Sequence, residues 1–397
     1  KDKQMSDYVI LGGGCAAVSA AEAIRSRDSQ GSITMIYEEN GLPYNRPMLT
    51  KALLSGLEES KIQIHPQAWY DDNKIEVVSG AEITALDVKA KKVTLKDGRE
   101  FAYGKCIYAL GAKCFVPPIK GADNPLVMSI RTLDDVRKIE AAIAGKQKVV
   151  CIGGGVLGLE GAWELAKGGK EVTILEAMDR LMPRQLDEKA SALVRGIAQD
   201  KGIRLFTGMK ITDISKEDEG VSVNTETVDY PCDMVIVSAG VRARVDLAKA
   251  AGLAVGRGVT VNEKMETSEP DVYACGDCAE YNGTDYALWS QAKEEGTVAG
   301  SNAAGGQAQY SGAPAALMFF GLETQLYAAG DNGSDPKKQY KTLEVYDEAG
   351  KIYRKCYFLE DHLCGILQIG TLAKVKELGK ALEAKASFHD AAVLLNE

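Results

Sequence analysis

The stretch YVILGGGCAA, residues 8–17, decides the fold of the first part of the chain. It joins a short apolar run to three consecutive glycines, and an alanine-rich segment with helical composition follows. A second apolar run, residues 33–37, comes next and ends at two glutamates. This order of strand, G-x-G-x-x-A, helix, strand and acid is typical of a βαβ unit that binds a dinucleotide.

Each residue type in this unit has a separate role in holding a dinucleotide. Gly12 and Gly14, with Ala17 at the third position of the motif, would let the backbone and a helix N-terminus approach a pyrophosphate. Glu38 would accept a hydrogen bond from a ribose hydroxyl. Its separation of 26 residues from Gly12 is slightly longer than the usual value of about 20, so Glu39 stays an alternative. A single loop of this kind is a weak signal, because many glycine-rich turns match it.

The same unit occurs a second time, 141 residues further along the chain. Residues 148–158, KVVCIGGGVLG, repeat the apolar strand and the glycine loop. Gly153, Gly155 and Gly158 therefore form a second predicted pyrophosphate site. Two such loops predict two dinucleotides, each held by its own α/β domain.

The acid that closes the second unit bears on the choice of pyridine nucleotide. A strand predicted at residues 171–175 ends at Glu176, 18 residues beyond Gly158. An acid there accepts from the free 2'-hydroxyl of NADH and repels the 2'-phosphate of NADPH, so NADPH is the less favoured cofactor. Arg180 and Arg184, a little downstream, could weaken that preference.

Composition limits the class of protein further. A chain of 397 residues is long enough for two or three domains. Its 47 basic and 56 acidic residues give a net charge of -9, which argues against a nucleic-acid-binding protein. Nine scattered cysteines, in a chain with no signal-peptide pattern, fit a reducing cytoplasm. The seven cysteines outside residues 269–280 lack metal-ligand spacing, and no metal site is predicted. No apolar run approaches the length of about 18 residues that a membrane span needs.

Breaks in the pattern predict where the domains begin and end. Two consecutive prolines, Pro117 and Pro118, favour an extended linker before the second glycine loop. The tail, residues 317–397, has alternating strand-like runs with hairpin breaks and then a helical segment, which predicts a small α+β domain. The first five residues, KDKQM, carry no core pattern and are expected to precede the first strand.

The stretch EPDVYACGDCAE, residues 269–280, supports two interpretations. It predicts a short strand, a tight turn at Gly276 and Asp277, and then a helix. Cys275 and Cys278 form a C-x-x-C that could be a redox dithiol, its thiol pKa lowered at the helix N-terminus. Alternatively, the carboxylate of Asp277 accepts hydrogen bonds from a ligand hydroxyl. The local pattern leaves both interpretations open.

Together with LPYNRPMLTK at residues 42–51, these motifs identify a family. From about Asp7 to Gly370 the chain resembles the FAD-dependent pyridine nucleotide-disulfide oxidoreductases. It is most similar to members that lack the active-site disulfide: NADH:rubredoxin reductases, oxygenase-coupled ferredoxin reductases, the flavin module of nitrite reductases and apoptosis-inducing factor. The resemblance implies an α/β fold of glutathione-reductase type with three domains. Residues 1–117 and 238–316 would bind FAD, residues 118–237 NAD(H), and residues 317–397 would form the C-terminal domain.

The resemblance also implies roles for individual residues. FAD would lie on the first loop and NADH on the second. The residues expected to contact FAD outside the first loop are Arg46 and Arg131 at phosphate or flavin edges, Ile83 at the adenine through its backbone, Asp277 at the ribityl chain and Trp289, which begins a helix directed at the flavin pyrimidine. Lys51 would lie by flavin N5 and pair with Glu160 from the helix of the second loop. These two form the predicted catalytic pair, because a cation stabilises negative charge on reduced flavin and an acid keeps the cation in place.

The departure from the disulfide reductases concerns cysteine. Those enzymes carry C-x-x-x-x-C in the segment that corresponds to residues 41–55, and this segment contains no cysteine. The tail also lacks their His-x-x-x-x-Glu base. We therefore expect electrons to leave the flavin directly, towards a small carrier protein of rubredoxin or ferredoxin type. The alternatives are an NAD(P)H oxidase or nitrite-reductase-type module, and a redox-sensing NADH- and FAD-binding protein with little turnover.

Overall fold

The computed structural model describes residues 3–284, 288–312 and 316–397, with Lys3 described by its backbone alone. Its contacts divide the chain into two compact units. Unit 1 consists of Lys1–Leu49, Leu57–Phe115 and Gly240–Gly312. Unit 2 consists of Thr50–Gly56, Val116–Ala239 and Ala313–Glu397.

The helices range from single turns to four turns. In chain order they are α1 (Cys15–Arg27), α2 (Met48–Lys51), α3 (Glu59–Ile62), α4 (Gln67–Asp72), α5 (Leu133–Ile143), α6 (Val156–Lys167), α7 (Glu188–Asp200), α8 (Asp246–Ala250), α9 (Trp289–Ala303), α10 (Val375–Glu383) and α11 (Phe388–Asn396). Among the described residues, no helix is both long enough and apolar enough to cross a membrane.

The strands fall into four consecutive groups along the chain. The first group is β1 (Lys3–Leu11), β2 (Ile33–Ile36), β3 (Ile75–Val78), β4 (Ile83–Asp87), β5 (Lys92–Leu95), β6 (Glu100–Tyr108) and β7 (Ala112–Cys114). The second is β8 (Val127–Met128), β9 (Lys148–Ile152), β10 (Glu171–Leu175), β11 (Arg204–Phe206), β12 (Ile211–Lys216), β13 (Val221–Thr225), β14 (Asp229–Cys232) and β15 (Met234–Val237). The third is β16 (Val241–Ala243), β17 (Val259–Val261), β18 (Val272–Ala274) and β19 (Ala279–Tyr281). The fourth is β20 (Ala316–Gly321), β21 (Thr324–Gly330), β22 (Lys341–Asp347), β23 (Ile352–Leu359) and β24 (His362–Ile369).

Unit 1 is built on a parallel sheet with the first glycine-loop strand at its centre. Its parallel strands lie in the order β3-β2-β1-β6-β18. β6 also pairs antiparallel with β5, and β5 with β4, so a meander extends one side of the sheet. The side chains of Val9, Ile10 and Leu11 are fully buried. A central parallel strand is covered on both faces, which is why this run is continuously apolar instead of alternating.

Helices α1 and α9 of unit 1 pack closely because small residues meet at their crossing. A Cβ added to Gly296 would lie 2.3 Å from the carbonyl oxygen of Ala16, and one added to Gly300 would lie 2.3 Å from that of Ala20. Both distances are far below van der Waals contact, so only glycine permits this approach. The packing holds the N-terminal turn of α1 against the segment that contains Asp277.

Unit 2 contains a second parallel sheet and an antiparallel one. The parallel sheet has the order β11-β10-β9-β15-β8, again with the glycine-loop strand at its centre, and β12, β13 and β14 form a separate antiparallel ribbon. The C-terminal sheet has the order β20-β21-β24-β23-β22 with antiparallel pairs throughout. Its core includes Phe358 and Ile366 from strands, with Leu378 and Leu395 from α10 and α11. The domain boundaries at residues 117, 237 and 316 stay a prediction, and residues 313–315 lie outside the described residues.

Two local predictions are wrong. β1 begins at Lys3, not after the first five residues, because Lys3 to Ser6 pair with Glu100 to Tyr103 of β6; Lys1 and Asp2 lie outside the described residues. A helix was expected after Asp277, but the structure has a single 3₁₀ turn, Gly276–Cys278, followed by β19. The parallel pairing of β19 with β17 overrides the local preference for a helix.

The α1–α9 contact yields a prediction about stability. Gly296→Ala should lower the free energy of unfolding by about 1–3 kcal/mol, because the new methyl group forces the two helix backbones apart. Gly196 is a matched control, since it also lies inside a helix but a Cβ there would meet no atom within 4 Å. Gly196→Ala should raise stability by up to about 1 kcal/mol through helix propensity. Chemical denaturation of both variants measures the difference, and equal effects would refute the packing account.

Candidate functional site

The first glycine loop leaves open space in front of a helix N-terminus. Gly12 has a φ of +130°, and a Cβ there would lie 1.9 Å from the carbonyl oxygen of Ala109. A Cβ on Gly13 would lie 2.6 Å from the Tyr37 ring. Gly14 is the N-cap of α1, and a Cβ there would meet nothing within 4 Å. The first two glycines are therefore required by packing, whereas the third faces space that a ligand can fill.

The N-terminus of α1 is suited to an anion. Its N-cap makes no side-chain hydrogen bond and its first turn contains no acidic residue. The N–H groups of that turn have no partner within the helix, and the helix dipole favours negative charge beside them. These donors fit a pyrophosphate, so the residues present agree with a bound FAD.

The second loop repeats this geometry within unit 2. Gly153 has a φ of +108°, and a Cβ there would lie 2.0 Å from the carbonyl oxygen of Ser238. A Cβ on Gly158 would lie 2.3 Å from the carbonyl oxygen of Gly153, whereas one on Gly155 would meet nothing within 4 Å. The N-terminus of α6 also has no side-chain cap and no acidic residue in its first turn. Both predicted loops therefore have the form of a pyrophosphate cradle.

The two candidate ribose acids of the first unit differ in their partners. Glu39 accepts a hydrogen bond from Arg46 Nη2 at 2.8 Å and another from the Tyr44 hydroxyl. Glu38 has a side chain 63% exposed and forms an ion pair with Arg244 at 3.3 Å. Because Glu39 and Arg46 bind each other, the more exposed Glu38 is the more available acceptor for a ribose hydroxyl.

Glu176 of the second unit is tied to its own glycine loop. Its carboxylate accepts hydrogen bonds from the backbone N–H of Gly154 at 2.6 Å and of Met178 at 3.1 Å. Arg180, a candidate for weakening the preference for NADH, donates from Nη2 to the carbonyl oxygens of Pro183 at 3.4 Å and Leu186 at 3.2 Å. These hydrogen bonds hold the Arg180 guanidinium group against the following loop, so the group is less available to bind a 2'-phosphate.

Asp277 lies close to the first loop because the preceding residue is glycine. Gly276 has a φ of +82°, and a Cβ there would lie 2.8 Å from Cβ of Ala16 in the first turn of α1. Asp277 is half-buried in the middle of the 3₁₀ turn Gly276–Cys278. The Asp277 carboxylate therefore lies near the N-terminus of α1, where its charge acts on Cys15, and its contact with a ribityl chain stays a prediction.

The two cysteines beside Asp277 are buried. Cys275 and Cys278 have no exposed surface, and the Cys278 thiol lies 3.2 Å from the carbonyl oxygen of Cys275. Burial raises the pKa of the Cys278 thiol to about 12 and that of Cys275 well above its ordinary value. These raised pKa values disfavour the interpretation of the pair as a redox dithiol, because burial and the nearby charge of Glu295 both oppose ionisation of the thiols.

Sequence reasoning missed Glu295, a buried acid in the same cluster. Its side chain, on α9, is 3% exposed. Burial and the neighbouring charge of Asp277 raise its pKa to about 8, although the N–H of Gly276 opposes the shift. The spacing carried a signal, since Glu295 lies three residues after Ala292 and four before Ala299, both buried.

In the predicted catalytic pair, Lys51 and Glu160, the direct hydrogen bond to Glu160 comes from a third residue, Thr50. Glu160 accepts a hydrogen bond from the Thr50 hydroxyl at 2.7 Å. The Lys51 ammonium instead lies 5.7 Å from the centre of the Phe320 ring. Burial raises the pKa of Glu160, whereas the Thr50 hydrogen bond and the charge of Lys51 lower it. The positive charge of Lys51 therefore acts on Glu160 from a distance. The hydrogen-bond donor to Glu160 is Thr50, which the sequence analysis did not single out.

The remaining predicted residues lie in regular elements. Ile83 begins β4 and is opposite Leu95 of β5. Trp289 begins α9, and its carbonyl oxygen lies 3.9 Å from the Cys15 sulfur. Arg131 belongs to unit 2, where its backbone N–H donates to Asp135 at the start of α5.

The geometry defines a protein with two dinucleotide-binding βαβ units. The pyridine nucleotide-disulphide oxidoreductase family matches residues 6–296. The chain belongs to this family.

Individual relatives extend the similarity to most of the chain. It is 31% identical over 381 residues to the NADH-rubredoxin oxidoreductase of Clostridium acetobutylicum, covering 96% of this chain and 95% of that protein. It is 30% identical over 367 residues to the assimilatory nitrate reductase electron transfer subunit of Bacillus subtilis, covering 91% of this chain and 47% of that protein. The chain thus spans about half the length of the latter relative.

The solved structure of a ferredoxin reductase from Rhodopseudomonas palustris matches with a TM-score of 0.88 at 27% identity, covering 96% of this chain and 95% of that one. Family membership and these relatives confirm the predicted family and fold class.

The burial of Glu295 yields a prediction about pH. An acid with a folded pKa of about 8 and an ordinary value of 4.5 stays protonated in the folded chain while the unfolded chain ionises. Stability therefore falls as the pH rises between these values. The advantage of Glu295→Gln over the parent in unfolding free energy should grow between pH 5.5 and pH 8, by about 1.4 kcal/mol per pH unit, and then level off.

The exposed neighbour Glu294 is the matched control for this measurement, because Glu294→Gln removes the same charge from the same helix. Denaturant unfolding of the ligand-free variants at a series of pH values measures both. A difference between Glu295→Gln and the parent that does not change with pH would show that Glu295 is ionised in the folded protein.

Proposed function

We propose that this chain is an NADH-dependent FAD oxidoreductase that passes electrons from the flavin directly to a small carrier protein of rubredoxin or iron-sulfur type, without a cysteine relay. FAD would supply the conversion of a two-electron hydride donor into single electrons. The observation that carries the proposal is the combination of two pyrophosphate cradles with a C-x-x-C whose thiols are buried and hard to ionise.

The state of the cysteines supports direct transfer. A thiol reacts with a disulfide or with an oxidised flavin as the thiolate, so it needs exposure and a lowered pKa. Cys275 and Cys278 have neither property. The segment at residues 41–55, where the disulfide reductases carry their redox cysteines, contains no cysteine in this chain.

The relatives support the type of acceptor. NADH-rubredoxin oxidoreductase and ferredoxin reductase are the names of proteins that align with nearly the whole chain and over nearly their own whole length. A small electron-carrier protein is therefore the proposed partner.

Several residues have proposed tasks in this reaction. The N–H groups at the starts of α1 and α6 would bind the two pyrophosphates, and Glu38 and Glu176 would accept from ribose hydroxyls. Asp277 would hold the ribityl chain. Lys51 would place positive charge beside the reduced flavin, with the carboxylate of Glu160 as its neighbouring acid.

A second candidate is a flavin module of a nitrite- or nitrate-reducing system. It is favoured by the alignment of 91% of this chain with the electron transfer subunit from Bacillus subtilis. In that case the electrons would pass to another redox centre of the same system.

An anaerobic acceptor screen tests the proposal. The FAD-loaded protein should be bleached by about one equivalent of NADH and then reoxidised rapidly by rubredoxin or a ferredoxin. NADPH should reduce it at least about tenfold more slowly, because Glu176 repels a 2'-phosphate. Faster reoxidation by oxygen than by either carrier would favour an oxidase, and failure of NADH to reduce the flavin would refute the proposal.

A further inference from the structure

Thr50 and Glu160 form a buried hydrogen bond in unit 2. Thr50 is 5% exposed and Glu160 6% exposed. The donor, Thr50, lies in the single turn of α2, and the acceptor, Glu160, lies inside α6, 110 residues further along the chain. The distance of 2.7 Å between the two oxygens is within the range of a charge-assisted O–H···O⁻ bond.

A second contact anchors the same short segment. The backbone N–H of Leu54 donates to Oε1 of Glu140, on α5, at 3.0 Å. Within unit 2, residues 50–56 are thus anchored to α6 through Thr50 and to α5 through Leu54, with Lys51 between the two contacts. The Thr50 side chain therefore fixes the backbone that carries Lys51.

The charged groups around Glu160 oppose one another. Burial favours the neutral acid, as does the neighbouring charge of Glu164 one turn further along α6. The Thr50 hydroxyl and the Lys51 charge favour the carboxylate. Lys167 pairs with Glu164 at 2.9 Å and reduces the effect of that acid. Because the environment disfavours ionisation, one donated hydrogen bond has a large influence on the charge of Glu160.

We propose that Thr50 is a positioning residue that keeps Glu160 ionised and holds Lys51 in place, so that the positive charge of the lysine lies beside the flavin. This inference rests on the proposed function for the role of Lys51. The direct contact with Glu160 comes from the Thr50 hydroxyl, whereas the family resemblance implied that it would come from Lys51.

The ligand-free protein provides the first test. Thr50→Val removes the hydroxyl and keeps the size of the side chain, whereas Thr50→Ser keeps the hydroxyl. Loss of the bond should raise the pKa of Glu160, so the destabilisation of Thr50→Val relative to Thr50→Ser should grow as the pH rises. The ratio of their unfolding equilibrium constants should change about tenfold between pH 4.5 and pH 8.

The same comparison in a Glu160→Gln background is the control. With no titrating acid at position 160, the difference between Thr50→Val and Thr50→Ser should not change with pH. Thr50→Ala replaces Thr50→Val if the latter does not fold. A difference that is independent of pH in the parent background would overturn the inference.

The FAD-loaded protein provides the second test. Rapid-mixing measurement of flavin reduction by NADH should show the acid limb of the pH profile about one unit higher in Thr50→Val and restored in Thr50→Ser. Identical profiles would overturn the positioning role. A pH-dependent stability difference in a protein that NADH does not reduce would instead refute the proposed function and support the link between Thr50 and Glu160.

Discussion

Both nucleotide-binding units depend on one backbone constraint: the first glycine of each loop passes directly against the carbonyl group that follows a neighbouring strand. Gly12 lies against Ala109 and Gly153 against Ser238, at distances that exclude any side chain. This approach lets each central strand turn at once into its helix. The uncapped N–H groups at the start of α1 and α6 then face open space, where an anion is stabilised by direct hydrogen bonds and by the helix dipole.

Burial determines what the motif around Asp277 can do. The same glycine that brings this turn against α1 also places Cys275 and Cys278 beneath it, where neither thiol has exposed surface. Burial and the nearby charge of Glu295 raise the pKa of both thiols, so the cysteines behave as small apolar side chains. Asp277 alone remains half-exposed. In the proposed function this segment would offer a carboxylate to a ligand, and its buried thiols would take no part in electron transfer.

The sequence predicts an element correctly where the pattern that determines it is local in the chain. Both βαβ units, α1, α9 and the C-terminal hairpins follow from apolar runs, glycines and turn residues close together in the chain. Features that depend on distant pairing were missed. β1 extends to Lys3 because β6 offers partners about a hundred residues away, and β19 replaces a helix because β17 pairs with it. The bond from Thr50 to Glu160 joins residues 110 positions apart, and no local pattern distinguishes Thr50 from a capping or surface threonine.

In the proposed function the flavin is the only redox group between NADH and the acceptor, so the number of electrons that the protein takes up per FAD is decisive. An anaerobic reductive titration of the FAD-loaded protein with dithionite, followed by flavin absorbance and by the number of reactive thiols in the denatured protein, measures the redox capacity per FAD. The account predicts two electrons per FAD and the same nine thiols before and after reduction, since all nine cysteines are unpaired. Uptake of four electrons with two additional thiols would reveal a redox disulfide and contradict it.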